Sequence, residues 1–196
     1  MKTILFIDGR NFIDKISLIL SPNKEKDINF SIYDFKGLIN KVLAEINIDR
    51  KIFYFGRLVE HPETIKKSKE LIEKQRLLKT HLEEQGFEVI LAGRVRGHTE
   101  RCIKGHETLT FKEKGVDVKI AVDMVTLACD KELKTAIIGS SDSDLQPAIQ
   151  ELKKRKFQRI YLGFEDNPNK GLTFTANRTI LIRNPEALEF IGKTLI

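Results

Sequence analysis

Three separated segments of this 196-residue sequence set aspartates beside small or turn-forming residues: Ile7-Asp8-Gly9-Arg10-Asn11, Lys114-Gly115-Val116-Asp117 and Gly139-Ser140-Ser141-Asp142-Ser143-Asp144. The first and third directly follow short apolar runs, and the second opens an apolar helical stretch. In open parallel sheets, ligands bind beyond the carboxyl ends of the strands, so the three segments would bring four carboxylates to one edge. Gathered like charges raise one another's proton affinity and cost stability unless something neutralises them. A hard divalent cation such as Mg²⁺ takes oxygen ligands and often keeps several waters. Held by carboxylates, it lowers the pKa of a bound water and clamps attacking and leaving oxygens, which is the chemistry of phosphodiester hydrolysis. Asp8, Asp117 and Asp142 are the first-choice ligands, with Asp144 a fourth ligand or the group that orients the water. Arg10, Asn11, Lys114, Ser140 and Ser141 are the candidate substrate contacts, the neutral three suiting a phosphate or support of the ligands.

Each segment also has a plainer explanation. Asp8-Gly9 alone reads as a turn, Ser141 or Asp142 as a helix N-cap, and Asp117 as a residue favoured by the helix dipole. Their joint placement is what points to a site. Asp123 is separate: six residues past Asp117, it lies about 120° round the helix and ~9 Å further along. It therefore reads as a buried hydrogen-bonding residue or as support for the ligands.

The elements that must position these residues alternate. Thr3–Ile7, 52–55 (ending at Gly56), 87–91 (stopping at Gly93), 135–138 and 159–162 are apolar runs bounded by glycine or Asp-Gly, with 179–182 a weaker sixth; such runs are strands buried on both faces. Helical periodicity marks 35–46, 63–85 (with Gly86 as C-terminal cap), 116–129, 144–156 and 185–193. The 116–129 stretch is apolar nearly all round and is expected to be buried. Residues 94–114 break the rhythm and read as a β-hairpin insertion turning at Lys104-Gly105. The expected architecture is α/β, with a central, mostly parallel sheet covered by helices on both faces, in one domain spanning residues 1–196.

Composition bounds the rest. Thirty-four Lys and Arg against 28 Asp and Glu leave a net charge of +6, which permits a polyanionic partner. Two cysteines, Cys102 and Cys129, exclude a disulfide scaffold. No apolar run approaches the ~20 residues that span a bilayer, and the N-terminus lacks the long apolar core of a secretory signal. The expectation is a cytoplasmic protein with no membrane association; a homodimer is left open.

The stretches FIDGRN at 6–11, KGVDVKIAVDM at 114–124 and IIGSSDSDLQPAI at 137–149 resemble the NYN-domain family of the PIN-like nuclease superfamily, in order and spacing as well as residue type. The resemblance implies a PIN-like three-layer α/β/α fold, Mg²⁺ or Mn²⁺ at the acidic site, and ribonuclease activity or at least RNA binding. It carries a metal role to Asp8, Asp117, Asp142 and Asp144 and a site role to Asn11. Two departures stand out: Ser140-Ser141-Asp142 where the family often has Ser-Gly-Asp, and Ala176-Asn177 where it often has Ala-Asp.

The expected function is a metal-dependent endoribonuclease using a water nucleophile, the alternative a non-catalytic RNA-binding or regulatory protein on the same fold. A phosphohydrolase of the haloacid-dehalogenase kind needs a second Asp two residues after the first, where this chain has Arg10. His98, Cys102 and His106 are spaced as zinc ligands on one strand would be, but a turn at Lys104-Gly105 spoils their alignment. The hairpin cations Arg94, Arg96, Arg101, Lys104, Lys112 and Lys114 are read as contacts for a nucleic-acid strand. Residues 164–178 read as a loop rimming the site, its Asn-Pro-Asn-Lys-Gly stretch mobile, from which Lys170 or Arg178 could reach substrate. With no Trp and three Tyr, no base-stacking platform stands out.

Overall fold

The computed structural model describes residues 1–22, 28–60, 65–101 and 107–192, with 96–101, 107–110 and 112 described by backbone alone. Seven strands run as β1 (Lys2–Asp8), β2 (Arg50–Leu58), β3 (Glu88–Arg101), β4 (Glu107–Lys114), β5 (Leu133–Gly139), β6 (Gln158–Phe164) and β7 (Arg178–Ile182). The helices are α1 (Gly9–Leu20), α2 (Phe35–Val42), α3 (Ile65–Glu84), α4 (Val116–Cys129), α5 (Gln146–Lys154), α6 (Lys170–Thr175) and α7 (Asn184–Glu189), with 3₁₀ turns at Phe30–Ile32 and Ser143–Leu145. The sheet order is β4-β3-β2-β1-β5-β6-β7, parallel at every step except the antiparallel β3–β4 pair. The chain builds outward from β1 to β3 and β4, then crosses back to β5 on β1's other flank. That reversal opens a crevice between the carboxyl ends of β1 and β5, where open α/β sheets bind ligands.

The apolar run of β1 is shared residue by residue between two cores, as a strand's two-residue period requires. Leu5 and Ile7 pack with Phe12 and Ile16 of α1 and Leu38 of α2. Ile4 and Phe6 pack with Ile120 and Met124 of α4 and Leu152 of α5. The expected three layers, helices on both faces of a mostly parallel sheet, are therefore present.

Three local expectations are corrected. Gly9–Leu20 is a helix, α1, capped by Asp8, in a stretch where no helix is expected from the sequence. Gly93 does not end a strand. Between Gly56↔Ala92 and Leu58↔Val95 the register shifts, Gly93 takes φ +63°, and β3 continues through this bulge into the hairpin, where Arg94–Arg101 pairs with Glu107–Lys114. Finally, α4 is buried on one side only. Val116, Ile120, Met124 and Ala128 face the core, while Val118 and Val122 are 59% and 53% exposed. The hairpin turn at Lys104-Gly105 and the ligand spacing of Cys102 and His106 lie outside the described residues, as do the side chains of His98, Arg96, Arg101 and Lys112. No helix among the described residues is long and apolar enough to cross a membrane.

Candidate active site at the crevice between β1 and β5

Asp8 ends β1 and starts α1, so one carboxylate serves two elements. Its Oδ1 accepts the Asn11 N–H at 3.1 Å, and the residue is only 8% exposed. Gly9 must be glycine for a packing reason: a Cβ there would sit 2.2 Å from the Phe55 ring. From the far side of the crevice, Ser140 Oγ donates to Asp8 Oδ2 at 3.4 Å and accepts the Asp142 N–H at 3.1 Å. Asn11 Oδ1 accepts the Ser141 N–H at 2.9 Å, and Asn169 Nδ2 donates to the Ser141 carbonyl at 2.9 Å. Asp142 Oδ1 then accepts the Asp144 N–H at 2.9 Å, capping the 3₁₀ turn. Asn11, Ser140 and Ser141 thus join the two loops that carry Asp8 and Asp142.

Asp117 enters from the first turn of α4, whose cap residue Gly115 has φ +90°. Burial pushes the Asp8 carboxyl above the ordinary aspartate range; the Asn11 N–H opposes this, and the charges of Asp142 and Asp117 add to it. A fifth acid, Glu113 of β4, was not singled out from the sequence. Its Oε2 accepts the Gly56 N–H at 2.9 Å. Burial foremost, with the charges of Asp8 and Asp117, holds its proton affinity above the usual glutamate value, against the pull of Gly56 and Arg10. The signal was faint but present: Glu113 is two residues from Phe111 and paired with Val95, an acid on the apolar side of a strand.

The remaining predicted residues stand as follows. Asp144 is exposed in the 3₁₀ turn. Arg10 is exposed and bridges to Asp14 at 2.8 Å, and Lys114 is exposed at the end of β4 opposite Arg94. Asp123 lies apart, accepting from the Tyr54 hydroxyl at 3.1 Å and pairing with Lys119 at 2.6 Å, a bonded group as expected. Residues 164–178 hold a helix rather than a loose loop, capped by Asn169, whose Oδ1 accepts the Leu172 N–H at 3.0 Å. Arg178 begins β7 at the opposite edge of the sheet and pairs with Glu45 at 3.0 Å, so it does not rim the crevice.

Among the described residues, no ion pair includes Asp8, Glu113, Asp117, Asp142 or Asp144. Nor do any three His, Cys, Asp or Glu side chains among them converge tightly enough to hold an ion unaided. The donors at the crevice are all oxygens, the ligand type that a hard cation such as Mg²⁺ takes.

No curated protein matches the chain in sequence. The crystal structure of VPA0982, a protein of unknown function from Vibrio parahaemolyticus, is similar with a TM-score of 0.57 at 17% identity, over 92% of this chain and 93% of that one. That likeness concerns the fold. The family model described as NYN domain matches residues 2–183, a span that contains every acid of the crevice, and the chain belongs to the NYN domain family.

Proposed function

We propose that this chain is an endoribonuclease, hydrolysing RNA phosphodiester bonds at the crevice with Mg²⁺ or Mn²⁺ held by Asp8, Asp117 and Asp142. Asp144 is a further ligand or orients the water. The observation that carries this reading is the Asp8 carboxyl, raised in proton affinity foremost by burial and further by the charges of Asp142 and Asp117, with no cation paired to it among the described ion pairs. Mutual repulsion of this kind is a cost that a bound cation removes. When bound, such an ion acidifies a water and polarises phosphoryl oxygens. The chain's own residues do the positioning. Ser140 and Asn11 fix the loop of Asp142 against Asp8, and Arg10 and Lys114 meet the phosphate backbone at the rim.

Cleavage of single-stranded RNA in Mn²⁺ tests this. Asp8→Asn and Asp142→Asn should each reduce the rate at least 100-fold, about the range for loss of one charge-stabilising group. Parental rates in both would remove these acids from the chemistry. One observation favours a second reading, a non-catalytic RNA-binding protein: no described trio of ligands converges without an ion. RNA affinity without cleavage in either metal would assign the chain to that class.

A further inference from the structure

The crevice opens sideways into a groove of about 870 Å³ between α1, α3 and the hairpin. Arg10, Gly56 and Glu113 belong to both, since they line the groove while Glu113 shares the field of Asp8 and Asp117. Past that junction the walls turn apolar, with Ile13 from α1, Leu71 and Leu78 from α3, and the rings of Phe55 and Phe111. Phe111 is half-buried on β4, beside the acid it precedes by two residues. The volume lies within the roughly 300–1,000 Å³ of sites that take small organic ligands, apolar with a few polar groups at fixed points.

A ligand with apolar faces suits these walls, and Arg10 at the junction suits an anionic attachment. An unpaired nucleobase meets both conditions, because every base has a π-face to lay on an aromatic ring. A base inside a duplex does not, because it stays stacked within the helix. The absence of Trp had argued against stacking, but the chain has twelve Phe, and three of them, Phe30, Phe55 and Phe111, line this groove.

We propose that the groove receives an unpaired base of an RNA strand whose backbone crosses the acidic edge. The inference rests on the RNA reading above and deepens it. The test is equilibrium binding by fluorescence anisotropy in Ca²⁺, with three labelled probes: a mixed-sequence 12-nucleotide RNA, the same RNA in a duplex, and a 12-unit ribose-phosphate chain lacking bases. The single strand should bind roughly 5- to 100-fold tighter than the baseless chain, the range that stacking of one base supplies, and tighter than the duplex. Phe111→Ala, which removes a ring, should close most of that gap, while Phe111→Trp should keep it. Equal binding of all three probes would overturn the groove's role and leave the RNA reading standing. A gap unchanged in Phe111→Ala would overturn it too. Failure to bind any RNA would overturn both.

Discussion

Glu113 Oε2 accepts the backbone N–H of Gly56 at 2.9 Å, so an acid carried by the hairpin closes onto β2 beside the crevice. The contact requires that Gly56 have no side chain. A Cβ there would lie 2.6 Å from Glu113 Cγ and Oε2 and 2.8 Å from Val95 Cγ2. Gly56→Ala should displace Glu113, cost about 1–3 kcal/mol as overpacking does, and slow RNA cleavage about 10-fold or more. Glu113→Gln keeps an acceptor for Gly56 and should unfold near the parental temperature. If it also cleaves at the parental rate, the charge of Glu113 has no part in the reaction.

Asn169 performs two tasks with two atoms. Its Oδ1 caps α6, and its Nδ2 holds the Ser141 carbonyl. Asn169→Asp retains the cap but loses the donor, so it should keep thermal stability while lowering kcat. Asn169→Ala loses both and should cost a further 0.5–2 kcal/mol or so. Thermal melts and cleavage rates of the pair separate the two tasks. Equal rates in parent and Asn169→Asp would show that the Ser141 contact does not position Asp142.

Asp123 tests the helical arithmetic. It is bonded to Tyr54 and Lys119 and sits about 120° round α4 from Asp117. Asp123→Asn should therefore leave the metal requirement and the cleavage rate within about 3-fold of the parent. Tyr54→Phe should cost on the order of 1 kcal/mol for the lost hydrogen bond. A shift in the Mn²⁺ concentration needed for cleavage by Asp123→Asn would contradict the division between the two acids.

The features that could be read from the sequence are those set by local pattern. Five apolar runs ending at glycine or Asp-Gly gave the central strands, because a strand covered on both faces has no polar side to show. Asp8, Asp117 and Asp142 stand out in the sequence because each follows or opens such an element. What escaped depends on pairing between distant residues. Glu113 faces Gly56 only through the hairpin register Val95↔Glu113, which no local pattern fixes. Gly93 reads as a stop until its partner strand shows it to be a bulge. Asp8-Gly9 reads as a turn because a capping carboxylate and a turn carboxylate look alike in sequence, even though Phe12, Ile13 and Ile16 carry a helical period. The apolar girth of α4 says nothing of how much of it the sheet covers, and Val118 and Val122 stay open.

Asp8 links stability, pH and metal in one substitution. Its proton affinity is raised in the folded chain, while the unfolded chain titrates near 3.9. Between those values the folded state binds more protons than the unfolded state, so stability falls as pH rises through that window and remains lower above it. Asparagine carries no such cost and still caps α1. In EDTA at pH 7.5, Asp8→Asn should therefore be more stable than the parent by about 1 kcal/mol, or roughly 2–4 °C in Tm, and the advantage should vanish below about pH 3, under the unfolded value. Saturating Mg²⁺ or Mn²⁺ reverses the order. A ligand at 100 times its Kd stabilises the parent by about 2.7 kcal/mol and should leave Asp8→Asn almost unmoved. Melting curves at the two pH values, with and without metal, check all four corners. A parent more stable than Asp8→Asn in EDTA at pH 7.5 would mean that Asp8 is already neutralised within the protein, leaving a cation nothing to relieve.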